Sequence, residues 1–203
     1  MGLQTLALGL IAYLLGSIPF GFGFARLFAE TDIRAVGSRH TGTLNTWRVA
    51  GWLPAALTLL GDVGKGVLAV WLAQRYGWSA YAVTVAGAMV IAGHCWPIWL
   101  RFRGGMGAAT GGGVALMTMP AVLVIAVLSW ALWSLILRHS PRAISITTLL
   151  LPIATWWLGY PPAVMALALA ASAIIFVRHI PDLTREYRSF WIDRGRTSAP
   201  PLV

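Results

Sequence analysis

This 203-residue chain has little charge and very little acid: six Asp and Glu stand against fifteen Lys and Arg, and charged residues make up only 10%. A soluble surface needs about a quarter of its residues charged, so the composition excludes one. Cysteine is limited to Cys95, which rules out an intrachain disulfide and a thiolate metal cluster. Histidines and carboxylates are nowhere grouped at ligand spacing, and no metal or other cofactor is expected. The first apolar segment has no basic stretch ahead of it and no small-residue cleavage site behind it. It reads as a retained span rather than a signal peptide.

What is present is apolar sequence, 58% hydrophobic with a mean hydropathy of +0.75, so the chain reads as an all-α polytopic membrane protein. Apolar runs lie near 3–25, 50–73, 78–100, 106–119, 121–137, 143–159 and 162–177. Because a helix needs roughly 20 apolar residues to cross a bilayer, the fourth is short, and Pro120 is the reason for dividing 106–137 in two. The division predicts about seven transmembrane helices. The net charge of +9 would suggest nucleic acid in a soluble protein, but here the basic residues fall between apolar runs and point to no nucleic-acid partner. With seven spans and the amino terminus outside, all Lys and Arg except Arg75 and Lys65 fall on the cytoplasmic side, as the positive-inside rule requires. The reading is one transmembrane domain over 1–190 and a cytoplasmic tail over 191–203. The eleven tryptophans, many near span ends, fit interfacial anchoring.

The polar and glycine-rich segments all fall on that same side. The first, Gly37-Ser38-Arg39-His40-Thr41-Gly42-Thr43-Leu44-Asn45-Thr46-Trp47-Arg48, suits either a solvated loop or a substrate loop. The second, Gly61-Asp62-Val63-Gly64-Lys65-Gly66, places an acid and a base three residues apart, able to pair on one helix face. A nucleotide-binding P-loop is rejected there because Gly66 follows Lys65 where Ser or Thr is required. In the third, Gly93–Thr110, Arg103 supplies charge and Gly104, Gly105 and Gly107 offer backbone N–H groups to an anion, whereas glycines 111 to 113 suit helix packing. His94 reads as a hydrogen-bonded residue at a helix end. In the fourth, Arg178-His179-Ile180-Pro181-Asp182-Leu183-Thr184-Arg185, His179 is suited to proton transfer and Asp182 is near enough to orient its ring.

Taken in order, these segments resemble the bacterial acyl-phosphate:glycerol-3-phosphate acyltransferases, the PlsY family. The matching residues are Gly37, Ser38, Gly42, Asn45 and Arg48; Asp62, Lys65 and Gly66; Gly93, His94 and Pro97; Gly104, Gly105, Gly107, Ala109 and Thr110; and Arg178, His179 and Arg185. Gly16-Ser17-Ile18-Pro19-Phe20-Gly21 and Ser145-Ile146 also look like the family. The departures are Arg39-His40-Thr41 for its Gly-Asn-Pro, Thr43-Leu44 for its Ala-Thr, Met106 for a lysine, Asp182 for an asparagine and Arg142 for a serine.

The resemblance implies acyl transfer from an acyl-phosphate to the 1-hydroxyl of glycerol 3-phosphate, giving lysophosphatidate for phospholipid synthesis, at the cytoplasmic face of the inner membrane. It implies Ser38, Asn45 and His179 as catalytic residues, with His179 or a substrate phosphate taking the proton. Arg48, Lys65, Arg103, Gly104, Gly105, Gly107, Thr110, Ser145 and Arg185 would bind the phosphates. Asp182 should repel a dianionic substrate, and Arg39 and Arg142 would restore the balance if they face the site. A paralogue with another acceptor or donor, and a catalytically silent lipid-binding protein, are the competing readings. A transporter fits less well because its midplane pathway would need more than Asp62 and Lys65.

Overall fold

A computed structural model describes residues 2–185, 187–189 and 192–193. The predicted tail at 191–203 therefore lies outside the described residues except for Ile192 and Asp193. Nine α-helices make up most of the described chain: α1 Leu3–Gly16, α2 Phe20–Ala29, α3 Thr43–Ala50, α4 Trp52–Tyr76, α5 Ala80–Cys95, α6 Ala108–Thr118, α7 Pro120–Leu137, α8 Ser140–Trp157 and α9 Pro162–His179, with single 3-10 turns at Ile98–Leu100 and Ile180–Asp182. After them, Tyr187–Ser189 and Ile192–Asp193 form a short antiparallel ladder.

Five segments are long and apolar enough to cross a membrane: Leu3–Ala29, Trp52–Tyr76, Ala80–Leu100, Pro120–Leu137 and Pro162–Asp182. The two expected spans missing from that set are α6, with 11 residues, and α8, which carries Arg142 and several hydroxyls. At 1.5 Å per residue α6 is about 16 Å long, half the hydrocarbon thickness. Proline divides this part of the chain as expected: α6 stops at Thr118, Met119 takes a non-helical conformation and Pro120 opens α7, where its missing N–H costs nothing. The first apolar run is divided as well. Pro19 separates α1 from α2, and at the break the Ile18 carbonyl accepts from the Phe20 N–H at 3.2 Å and also from another helix.

Small residues bring the helices close, as expected where lipid offers no hydrophobic drive for association. Gly9 of α1 faces Val85 of α5, Gly16 lies on the Val90 backbone, and Gly93 lies on the Tyr13 carbonyl, so α1 and α5 run side by side in the same direction. Gly66 of α4 lies on the backbone of Thr110, and Gly113 of α6 on that of Val63. Between them sits a core of Ala69, Val70, Val90, Ile91, Val114 and Leu167. By contrast α7 buries only Val122 and Ser134 fully and packs along one side on α8, where the Ser129 and Thr147 hydroxyls meet at 3.1 Å.

Contacts between the helix ends sort the connections into two groups. Gln4 accepts from the Trp78 N–H at 3.1 Å and Thr84 donates to the Ala163 carbonyl at 2.7 Å, which puts the amino terminus, the α4–α5 turn with Arg75 and the start of α9 at one end. At the other end lie the 30–42 loop, the 96–107 loop, the α7–α8 turn and the end of α9. Eight of the arginines, at 34, 39, 101, 103, 138, 142, 178 and 185, belong to this second end.

Candidate active site

Asn45, at the start of α3, organises the loop before it. Its side-chain amide donates to the carbonyls of Ile33 (3.1 Å), Val36 (3.1 Å) and His40 (3.0 Å), and its Oδ1 accepts from the Ser38 N–H at 3.0 Å. Asn45 is 2% exposed, and with two amide hydrogens spread over three carbonyls its geometry is that of a loop anchor. Ser38 takes part through its backbone, and its hydroxyl is used by none of these contacts. Asp32 and Arg34 fasten the same loop through a two-pronged ion pair at 2.8 and 3.0 Å, and those hydrogen bonds hold the Asp32 carboxyl down at about 2.

The end of α9 closes over this loop. Arg185 donates to the Ser38 carbonyl at 2.9 Å and also reaches Asp182 at 3.3 Å. His179 is buried, and its Nδ1–H donates to the Ile175 carbonyl at 2.7 Å, leaving Nε2 as the ring's acceptor. The expectation that Asp182 orients this ring is corrected: a carbonyl one helical turn back does so, and Asp182 bonds to His40 instead, at 2.6 Å.

The expected backbone cradle at 104–105 is also corrected. Gly104 N–H donates to the Cys95 carbonyl and Gly105 N–H to that of His94, so both donors are already taken. Glycine is needed at 105 because the His94 ring occupies the space of a side chain, and at 104 because the carbonyls of His94 and Cys95 and the Pro97 ring do. The loop's carbonyls face the other way, where Arg178 grips both: Nε to Gly105 at 2.9 Å and Nη2 to Gly104 at 3.1 Å. Gly107, at φ +88, opens α6 against Cys95, Ile175 and Ile91. A side chain would be strained in that conformation.

Lys65 lies deeper, 3% exposed, with each ammonium hydrogen assigned: to Asp62 at 2.8 Å, to His94 Nδ1 at 2.8 Å and to the Ile18 carbonyl at 3.2 Å. The acid–base pair expected within α4 is therefore a three-helix junction, not a cation presented at the surface. A narrow cleft lined by Ser17, Thr41, Asp62, Lys65 and His94 runs beside it. Thr110, fully buried, and Ser145, 5% exposed, both carry hydroxyls with no hydrogen-bond partner among the described residues. Arg48 is half-buried in the last turn of α3, and Arg103 is exposed. Arg39 points to solvent, while Arg142 donates to the Leu183 carbonyl at 2.8 Å and so tethers α8 to the end of α9.

The structure thus brings Ser38, Asn45, Gly104, Gly105, His179 and Arg185 to one end of the bundle and adds His40, Arg178 and Asp182, which the motif spacing did not single out as a connected group. Their signal was the Arg178-His179 pair and the departures at 40 and 182. No group of three or more potential metal ligands occurs among the described residues.

Several known proteins are similar to this chain. A profile of the family described as glycerol-3-phosphate acyltransferase matches residues 6–188. The glycerol-3-phosphate acyltransferase of Jannaschia sp. is 40% identical over 189 residues, covering 93% of this chain and 92% of that one. That of Laribacter hongkongensis is 39% identical over 180 residues, covering 87% and 89%. A crystal structure of PlsY (YgiH), an integral membrane glycerol 3-phosphate acyltransferase in its glycerol 3-phosphate form, superposes with a TM-score of 0.80 at 32% identity, covering 88% of this chain and 89% of that one. Its lysophosphatidic acid form gives 0.76 at 28% identity, with the same coverage. On these grounds the chain is a membrane protein of the glycerol-3-phosphate acyltransferase family.

Proposed function

We propose that the protein transfers an acyl group from an acyl-phosphate to the 1-hydroxyl of glycerol 3-phosphate, releasing lysophosphatidate and inorganic phosphate. The observation that carries this is the joining of the Ser38 loop, the Arg178-clamped glycine loop and the His179–Arg185 segment at one basic end of the bundle. An acyl-phosphate is an activated mixed anhydride, so the protein's task is to hold two anionic substrates together with the hydroxyl aimed at the carbonyl carbon.

In this reading the acceptor oxygen forms the new C–O bond, the carbonyl carbon's bond to the phosphate oxygen breaks, and the phosphate leaves with the electron pair. His179 Nε2 accepts the hydroxyl proton, since Nδ1 is committed to Ile175. Ser38 directs the acceptor through its free hydroxyl, and Asn45 acts through the loop it holds. Arg48, Arg103 and Arg185 attract the phosphates, and the partnerless hydroxyls of Thr110 and Ser145 are among the buried polar atoms left to a substrate. Gly107 starts the helix whose first N–H groups face the same end. The acyl chain lies among the helices in the bilayer.

The basic end is assigned to the cytoplasm by the positive-inside rule, with seven passages through the inner membrane and α6 the short one. A cysteine introduced near 140 should then label only from the cytoplasmic side. To test the activity, purified protein is incubated with palmitoyl-phosphate and labelled glycerol 3-phosphate. Lysophosphatidate above a no-enzyme control is expected, and its absence in several lipids overturns the proposal.

A further inference from the structure

His40 and Asp182 stand 142 positions apart in sequence and 2.6 Å apart in space. Each is a place where the chain departs from its family's pattern, and neither has a role in the transfer as described. Arg178 Nη2 lies 3.4 Å from His40 Nδ1, and a guanidinium can only donate, so Nδ1 accepts and Nε2–H donates to Asp182. The result is an ordered chain from Arg178 through His40 to the carboxylate, with Arg185 donating to the other carboxylate oxygen at 3.3 Å. Asp182 is 7% exposed. A carboxylate so placed beside an anion-binding site is harmful unless its charge is offset and its oxygens are bonded.

We propose that His40 and Asp182 act as one positioning unit for the acceptor phosphate: the His40 N–H occupies a carboxylate oxygen that would otherwise draw Arg185 off the Ser38 loop, while Arg185 beside the carboxylate and Arg178 behind the ring offset its charge toward the substrate. Arg185 Nη1 is shared between the Ser38 carbonyl and Asp182, so a carboxylate that loses its histidine competes harder for that same nitrogen. Arg178, released from His40, keeps its two carbonyls at 104 and 105, so the glycine loop should stay in place. The unit therefore acts on substrate affinity rather than on the fold. It also makes the two departures interdependent: either residue alone in the family's setting is a liability, and the two together are not. This inference rests on the proposed acyl transfer for its kinetic form, though not for its binding form.

The test is a cycle of wild type, His40→Asn, Asp182→Asn and the double variant, with turnover, unfolding midpoint and phosphate-induced stabilisation measured on each. His40→Asn should raise the KM for glycerol 3-phosphate about tenfold with kcat changed less than about threefold. The double variant should return KM to within about threefold of wild type, with all four unfolding midpoints alike in the absence of ligand. Additive effects, an unchanged KM in His40→Asn, or a matching fall in kcat would overturn the inference. If wild type makes no lysophosphatidate but inorganic phosphate stabilises it, and the same coupling is seen in that stabilisation, the transferase reading fails and the unit stands. Absence of any phosphate stabilisation as well as turnover sinks both.

Discussion

Lys65 Nζ and His94 Nδ1 are joined across α4 and α5 by a hydrogen bond of 2.8 Å, in the same buried junction where the ammonium also meets Asp62 and the Ile18 carbonyl. Removing the cation alone leaves the Asp62 carboxylate uncompensated, so Lys65→Met should cost about 3–5 kcal/mol in thermal unfolding. Adding Asp62→Asn should recover most of that loss. A double variant that regains its stability while its KM for glycerol 3-phosphate stays raised would give Lys65 a substrate contact in addition.

His139 begins α8 with Nδ1 accepting from the Arg142 N–H at 3.3 Å while Nε2–H donates to the Arg185 carbonyl at 2.9 Å. Protonation would place a hydrogen on the capping nitrogen, and burial holds the imidazole below its ordinary 6.5. A lowered value means that the folded chain binds this proton more weakly than the unfolded one. The contribution is thus complete above about pH 6.5 and drains away as pH falls below it. His139→Asn, which keeps a capping oxygen, should flatten the pH dependence of the unfolding midpoint between about pH 7 and 5. Asp32, held near 2, loses its contribution only below its ordinary 3.8 and does not blur that window.

Gly66 and Gly64 are two positions apart and should respond oppositely. A Cβ at 66 runs into the Thr110 backbone, whereas nothing lies within 4 Å of one at 64. Gly66→Val should destabilise by about 1–3 kcal/mol, and Gly64→Ala should be neutral or gain up to about 1 kcal/mol of helix propensity. Equal effects in a melting experiment would contradict the α4–α6 contact.

Asn45 and Ser38 should separate by assay. Asn45→Ala removes donors from three carbonyls and should lower stability by about 1–3 kcal/mol together with kcat/KM. Ser38→Ala leaves the backbone bonds of Ser38 intact, and it should remove most activity at an unchanged unfolding midpoint. A fall in the midpoint for Ser38→Ala would place its hydroxyl in the loop's structure.

The elements that announce themselves locally were legible before the structure. Pro120 divides α6 from α7, the apolar runs mark the helices, and Gly113 signals a close crossing. The glycines at 104 and 105 were legible as positions demanding close approach, but the approaching group is the end of α5 and the His94 ring rather than an anion. Only the folding back of the 96–107 loop reveals that. Asp182 looked like an electrostatic fault because a carboxylate repels a dianionic substrate, and the imidazole nearest to it in sequence was that of His179. Its actual partner sits in a loop before α3, and spacing along a chain says nothing about such a pairing. Lys65 was ambiguous for the same reason: the acid in its own helix was visible, but the carbonyl exposed by Pro19 and the imidazole of α5 were not.

The bond between His40 and Asp182 also has a consequence in time. Its partners emerge from the ribosome 142 residues apart, about 7–30 s at ordinary rates of synthesis. Until α9 has entered the bilayer, the Ser38 loop has neither its Arg185 tether nor its carboxylate partner, and Gly104 and Gly105 have no clamp. A nascent or truncated chain therefore holds most of the motif residues without an assembled site, and its last helix completes the site.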